Sequence, residues 1–261
     1  MNKPLQLIRP LKAVKAERPA LTIQKVSKIF PADNGYLNVL DNVSFDIAPA
    51  ELVCLLGPSG CGKTTLLKLI AGFMTPSAGI IRVDGRTVTS PGPDRCVVFQ
   101  EDALFPWLTV SENIAFGAKK LMHGSRLVKE VHRYLEMVGL SAFKDYLPRE
   151  ISGGMKQRVA LARVLILQPQ VLLMDEPFGA LDAQTREDMQ SLMLCLWEKL
   201  SHTIVFVTHD LVEAITLADR ILVMGTNPGQ IRSEIEVTLP RPRKKESDAF
   251  HNFFRDLRSR L

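Results

Sequence analysis

The run Gly57-Pro58-Ser59-Gly60-Cys61-Gly62-Lys63-Thr64 has the residue types and the spacing to hold a phosphate. It fits the pattern G-x-x-x-x-G-K-[ST]. The apolar run Leu52-Val53-Cys54-Leu55-Leu56 before it reads as a strand, and Lys63 onward reads as a helix. A glycine-rich turn between strand and helix lets backbone N–H groups converge on an anion. The helix dipole adds positive potential at the same point. Lys63 is expected to meet the β- and γ-phosphates of a nucleoside triphosphate, and the Thr64 hydroxyl to ligate Mg²⁺. Cys61 lies inside the loop, so a bulky thiol reagent is expected to block the nucleotide, and the nucleotide to protect the thiol.

Four further groups of residues fit the same chemistry. Val171-Leu172-Leu173-Met174 runs into two acids, Asp175-Glu176. A buried strand ending in paired carboxylates is costly unless they bind something. Beside a phosphate loop the economical assignment is Mg²⁺ at Asp175 and a water activated by Glu176; the alternative is an ordinary strand end with solvated acids. Ser152-Gly153-Gly154 opens a helix, where a hydroxyl and two glycines form either a second anion site or a plain serine-capped start. With two phosphate-type surfaces on one chain, a single nucleotide held between two chains would use both. His209 follows the apolar run 203–207, at the carboxyl end of a strand where α/β sheets place their ligands. Gln100 ends the run 96–99 and could ligate Mg²⁺ or hold the attacking water.

The elements that must position these groups follow from the apolar pattern. β-leaning runs occur at 21–26, 43–47, 52–56, 80–83, 96–99, 171–174, 203–207 and 221–224. Two-residue alternation in 43–47 predicts a half-exposed antiparallel strand. The continuous aliphatic runs predict a sheet buried on both faces. Between 101 and 168 the pattern turns helical. Thr109 with Glu112 predicts a capping box, a second helix runs from about Arg126 to a terminating Gly139, and a third runs from Ser152 to before Pro169. Helices at 182–200 and 210–218 separate the later strands into βαβ units, with Asp210 and Glu213 predicted to cap the second. The last helix, roughly 247–260, aligns Phe250, Phe253, Phe254, Leu257 and Leu261 on one stripe. It is expected to dock on the chain's own domain or a partner; the alternative is a membrane surface met through Arg255, Arg258 and Arg260.

A chain of 261 residues with 46% apolar content can build a real core. Cys54, Cys61, Cys96 and Cys195 form no spaced framework, and Cys54 and Cys96 fall in strands expected to be buried. That pattern predicts reduced thiols in a cytosolic protein. No stretch approaches the length of an uninterrupted apolar span, and the N-terminus lacks an apolar signal core, so neither a membrane span nor a secretion signal is expected. The net charge of +5 is concentrated at the two ends, which suits an anionic membrane surface, RNA, or plain solvation.

Taken together and in order, the motifs resemble those of the ATP-binding subunit of an ABC transporter, over about residues 21–235. The resemblance implies an α/β fold: a P-loop NTPase core with a mixed sheet, an antiparallel β subdomain and an α-helical insert. It implies an ABC ATPase domain at 20–240 with the insert at about 101–168; outside it, the residues themselves predict a flexible basic extension at 1–19, with three prolines and little periodicity, and a basic amphipathic helix at 241–261. In that likeness Gly57, Pro58, Ser59, Gly60, Cys61, Gly62, Lys63, Thr64 and Thr65 bind ATP, and Thr64, Gln100 and Asp175 hold Mg²⁺. Glu176, His209 and Gln100 act in catalysis, as catalytic glutamate, switch histidine and Q-loop glutamine. Ile151-Ser152-Gly153-Gly154-Met155 looks like the signature motif, whose Ser152, Gly153 and Gly154 contact the nucleotide. It departs from the common form at Ile151 and Met155, where Leu and Gln are usual. Ala180-Leu181-Asp182 resembles the D-loop, and Asp182 joins the nucleotide site. Phe30 is the implied adenine platform, with Tyr36 as its rival.

The implied partners are a second ATPase subunit, identical or a close paralogue, sharing two Mg·ATP head to tail, and transmembrane permease subunits. A solute-binding protein outside the cytoplasm takes part indirectly, and no nucleic acid is expected. The implied location is peripheral, on the cytoplasmic face of the plasma (inner) membrane. The stretch from Phe99 to Val110 is similar to importers of the nitrate, sulfonate and taurine group. Its tip, Phe105-Pro106-Trp107, is expected either to receive a helix of the membrane subunit or to pack internally. The alternative function is a non-transport ABC ATPase acting on ribosomes or nucleic acid. Against it stand the single cassette and the absence of sustained heptads.

Overall fold

The computed structural model describes residues 18–260 except Asn34 and Asp102. Most of the predicted extension at 1–19, and Leu261 at the end of the predicted stripe, lie outside the described residues. In chain order the elements are β1 (Leu21–Ala32), β2 (Gly35–Ile47), β3 (Leu52–Leu56), α1 (Lys63–Ala71), β4 (Ala78–Val83), β5 (Arg86–Thr87), β6 (Arg95–Val98), α2 (Val110–Ala118), α3 (Gly124–Met137), α4 (Gly153–Leu165), β7 (Val171–Asp175), α5 (Ala183–Leu200), β8 (Thr203–Thr208), α6 (Leu211–Leu217), β9 (Arg220–Gly225), β10 (Gln230–Glu236) and α7 (Asp248–Ser259).

Two sheets result. One has four strands in the order β2-β1-β4-β5, and the other has six in the order β10-β9-β3-β8-β7-β6. The first is antiparallel, and in it Val43, Phe45 and Ile47 are buried while Ser44 and Asp46 are exposed, as the alternation predicts. In the second, β9, β3, β8, β7 and β6 are parallel and β10 is antiparallel to β9, so the sheet is mixed. Every residue of β3 and β8 is buried. Successive side chains of a strand point to opposite faces. Val53, Leu55, Val205 and Val207 therefore join a core with the antiparallel sheet and α1, while Leu52, Cys54, Ile204 and Phe206 join the core under α2 to α7.

The local signals mostly act as their chemistry requires. Thr109 Oγ1 accepts from the Glu112 N–H at 3.2 Å, and Glu112 Oε2 accepts from the Thr109 N–H at 2.8 Å, closing the capping box of α2. Those bonds hold the Glu112 carboxyl below the usual carboxylate range. Gly139, with φ of 71°, follows α3.

Four expectations are corrected. Asp210 caps α6 alone, accepting from the Val212 and Glu213 N–H groups, and Glu213 turns its carboxylate inward instead of closing a box. Cys96 is only half-buried, because β6 is the edge of the six-stranded sheet. β5 and β10 carry no apolar run and were not foreseen; as edge strands they need little or no buried face. Finally, Arg241 and Arg243 are not free tail charges. Arg241 bonds to Asp219 at 2.6 Å and lies over the Trp197 ring, and Arg243 donates to the carbonyls of Ile215, Ala218, Val237 and Leu239. They tie the C-terminal segment down, and Phe250 and Leu257 of α7 are buried in the core. The predicted stripe thus docks on the chain itself. Among the described residues no helix is long and apolar enough to cross a membrane.

Candidate active site

The site grows from three parallel strand ends. Leu56 of β3 pairs with Thr208 of β8, and Asp175 of β7 pairs with Val207 of β8. The residues that follow these strands therefore emerge together. The loop after β3 turns through Gly60 and Gly62 with φ of 81° and 96°. At Gly62 a side chain is excluded twice over, because a Cβ there would also come within 2.6 Å of Leu40 Cδ2.

Lys63, the first residue of α1, is 5% exposed and folds back over the loop. Its Nζ donates to the Gly57 carbonyl at 2.7 Å and the Pro58 carbonyl at 3.0 Å. Pro58, Ser59, Gly60 and Thr64 are exposed, and Thr65 is half-buried. Cys61 is 1% exposed and packs into the core with the antiparallel sheet, so a thiol reagent must wait for the loop to open before it can reach the sulfur. Its Sγ lies 3.9 Å from Lys63 Nζ.

Thr64 Oγ1 donates to Asp175 Oδ1 at 3.1 Å. Burial pushes the Asp175 carboxyl above its usual range, even against this hydrogen bond. Thr64, Phe99, Gln100, Glu101, Ala103, Asp175 and Glu176 line a cleft of about 470 Å³. Glu176 has φ of 45°, a left-handed conformation that costs a non-glycine residue about 1–3 kcal/mol. Bonds from the Glu176 N–H to the Val207 carbonyl and from the Gly179 N–H to the Glu176 carbonyl hold it there. The result aims the side chain at the neighbouring strand end, where His209 Nδ1 donates to Glu176 Oε2 at 2.9 Å. A carboxylate so oriented, beside a phosphate loop, is placed to accept a proton from water.

The structure thus brings Lys63, Thr64, Gln100, Asp175, Glu176 and His209 to one end of the sheet. The loop residues Gly57 to Gly62 and Thr65 lie there too, but Ser152, Gly153, Gly154, Asp182 and Phe30 do not. Ser152 caps α4, accepting from the Met155 N–H at 3.3 Å, and Ser152 and Gly153 are exposed and do not line the cleft. Asp182 caps α5, accepting from the Thr185 N–H and hydroxyl, bonds that hold its carboxyl below the usual range. Phe30 and Tyr36 stand on the β1–β2 hairpin, also outside the cleft. The aromatic tip divides. Phe105 packs on Phe116 with ring centroids 4.3 Å apart, while Trp107 remains 71% exposed.

Two residues support the site in ways the sequence did not indicate. Gln157 of α4 is buried and donates through Nε2 to the Gln100 carbonyl at 2.8 Å, tying the cleft wall to the helix that Ser152 opens. Glu213 is also buried; it accepts from Thr208 Oγ1 at 2.7 Å and Gln190 Nε2 at 3.3 Å, beside His209, and burial pushes its carboxyl up. The only available signal was a polar side chain on the core-facing phase of a helix.

The profile of the family described as ABC transporter matches residues 40–179. The aliphatic sulfonates import ATP-binding protein SsuB of Bacillus cereus is 47% identical over 230 residues, covering 88% of this chain and 91% of that protein. The nitrate import ATP-binding protein NrtD of Synechocystis sp. is 47% identical over 223 residues, covering 84% and 83%. A solved dimeric ATP-binding cassette, in a post-hydrolysis state bound to ADP and Pi, matches with a TM-score of 0.73 at 30% identity, over 84% of this chain and 100% of that one.

Proposed function

The chain belongs to the ABC transporter family, as an ATP-hydrolysing importer subunit, and on that premise we propose that it energises uptake of a small anion through separate membrane subunits. The observation that carries the catalytic reading is the Glu176–His209 contact beside Lys63 and Asp175, at the carboxyl ends of three adjacent strands. The named cargoes of the two relatives, sulfonates and nitrate, support a small oxyanion as the substrate class.

In this reading Lys63 turns its ammonium from the Gly57 and Pro58 carbonyls to the triphosphate. Glu176 takes the proton of the attacking water, and His209 holds the Glu176 carboxylate in position. Thr64, Asp175 and Gln100 would hold Mg²⁺, which when bound neutralises charge on the phosphate oxygens. These oxygen donors fit that ion: Asp175 is half-buried with a raised pKa, as a carboxylate awaiting a cation would be.

Ser152, Gly153 and Gly154 of a second subunit, a copy or close paralogue, close over the same nucleotide. Hydrolysis then removes the γ-phosphate that both surfaces share, and the pair opens. The dimeric solved relative supports this pairing. Pro106 and Trp107 offer an exposed docking point for the membrane subunit at the cytoplasmic face, and a solute-binding protein delivers cargo from the other side.

Phe30 is the better adenine platform of the two aromatics. It lies opposite Leu37, on the hairpin face that continues through Lys28 to Leu40, and Leu40 packs at Gly62 of the phosphate loop. Tyr36 lies opposite Pro31, on the other face. Base–aromatic stacking is worth about 1–3 kcal/mol, so Phe30→Ala is expected to weaken ATP binding by about tenfold or more. Tyr36→Ala should leave it close to the parent value. Titration with a fluorescent ATP analogue checks both, and the reverse ranking assigns the platform to Tyr36.

The function itself is tested by reconstituting the chain with its membrane subunits and binding protein in vesicles. Uptake of an alkanesulfonate or nitrate that depends on ATP, with ATPase activity stimulated by loaded binding protein, is the expected result. ATPase activity that responds to RNA or ribosomes and ignores the membrane subunits overturns it.

A further inference from the structure

The two glycines at the start of α4 have different surroundings. A Cβ built on Gly153 would meet nothing within 4 Å, whereas one on Gly154 would come to 2.5 Å from the Thr185 Cγ2 methyl, in the first turn of α5. Gly153 is exposed and Gly154 is half-buried. Backbone conformation does not call for glycine at 154, which is helical and has no positive φ. Alanine is the better helix former there.

Thr185 is not free to swing aside. Its hydroxyl donates to Asp182 Oδ2 at 2.7 Å and its N–H to Asp182 Oδ1 at 3.0 Å. A β-branched side chain pinned through its hydroxyl has one practical rotamer. A methyl at position 154 would therefore press on the very residue that holds Asp182 in its cap.

We propose that Gly154 is a positioning residue: its bare Cα lets α4 seat on Thr185, so that the Ser152–Gly154 turn and the Asp182 turn of one chain form a single rigid face. Gly153 is then the glycine whose bareness is presented outward. This deepens the proposed pairing and rests on it, because that face is the one offered to the other subunit's nucleotide.

The test uses the full chain carrying Glu176→Gln, with Gly154→Ala, Thr185→Ser, or both added. Dimer formation with Mg·ATP is read by analytical ultracentrifugation, and melting temperature is read without nucleotide. Thr185→Ser removes the methyl and keeps the capping hydroxyl, so it should dimerise like its parent. Gly154→Ala should weaken dimerisation by about tenfold or more, the scale of one surplus methyl in a packed contact. The double variant should dimerise more tightly than Gly154→Ala alone, by the share of the loss that the Thr185 methyl imposes. A double variant no tighter than Gly154→Ala overturns the proposal, because glycine is then needed by the ligand or partner rather than by Thr185. Parent-like dimerisation of Gly154→Ala overturns it as well. If the Glu176→Gln parent itself stays monomeric, the pairing reading fails. The Gly154–Thr185 contact is then judged on melting alone: a fall in Gly154→Ala that Thr185→Ser reverses supports it, and no fall or no reversal sinks it.

Discussion

Lys63→Ala is expected to reduce ATP affinity by about 10²–10³-fold, the cost of removing one partner from a desolvated charge pair. Lys63 is 5% exposed, so the ammonium is already stripped of most of its water and is held by two backbone carbonyls. Those carbonyls are neutral, and a triphosphate offers the same donor a far stronger acceptor. The truncation has a second effect. Lys63 also ties the first residue of α1 to Gly57 and Pro58, so the alanine variant loses a clamp on the loop as well as a charge. Calorimetric titration with Mg·ATP measures the sum, and melting of the nucleotide-free chain isolates the clamp. Affinity within a few-fold of the parent would remove Lys63 from the phosphate site.

Glu176→Gln is expected to slow hydrolysis by about 10²–10⁴-fold while leaving ATP binding intact, the usual range for loss of a general base. The amide has nearly the same shape, so the left-handed backbone at Glu176 and its bonds to Val207 and Gly179 are undisturbed. What changes is basicity, together with the acceptor that His209 Nδ1 uses. Phosphate release in single-turnover conditions separates chemistry from binding. A variant that hydrolyses at the parental rate would assign the base to another group. A variant that loses ATP binding as well would show that Glu176 holds the ligand instead of activating water.

Much of the candidate cluster was legible in one dimension because each part is a local pattern. The phosphate loop needs only a strand, a glycine-rich turn and a helix within a short stretch. The Asp175-Glu176 pair shows itself because two acids close an apolar run. Thr109 with Glu112, Gly139 after α3 and Asp210 before α6 are likewise signals that act within one turn of chain. The parallel strands were legible for a related reason: a strand buried on both faces must be apolar throughout, and few other segments are.

Residues whose partners lie far away in sequence were not legible. Gln157 and Glu213 look like ordinary polar helix residues until α4 and α6 are docked and their phases are set. Arg241 and Arg243 count as surface charge until α6 and Asp219 supply their acceptors. β10 has too few apolar residues to announce a strand, because an edge strand leans on only one neighbour.

Local chain chemistry therefore settled which groups exist and which family of reactions they serve: a phosphate cradle, a pair of carboxylates, a histidine and a serine–glycine helix start. The three-dimensional packing decided their relations. It set His209 against Glu176 across 33 residues, because β7 and β8 lie side by side in a parallel sheet. It turned Cys61 inward, spent Asp182 on a helix cap, and gave Gly153 open space and Gly154 a methyl neighbour. Such contacts depend on register and helix phase, which arise only when separate segments exclude water together.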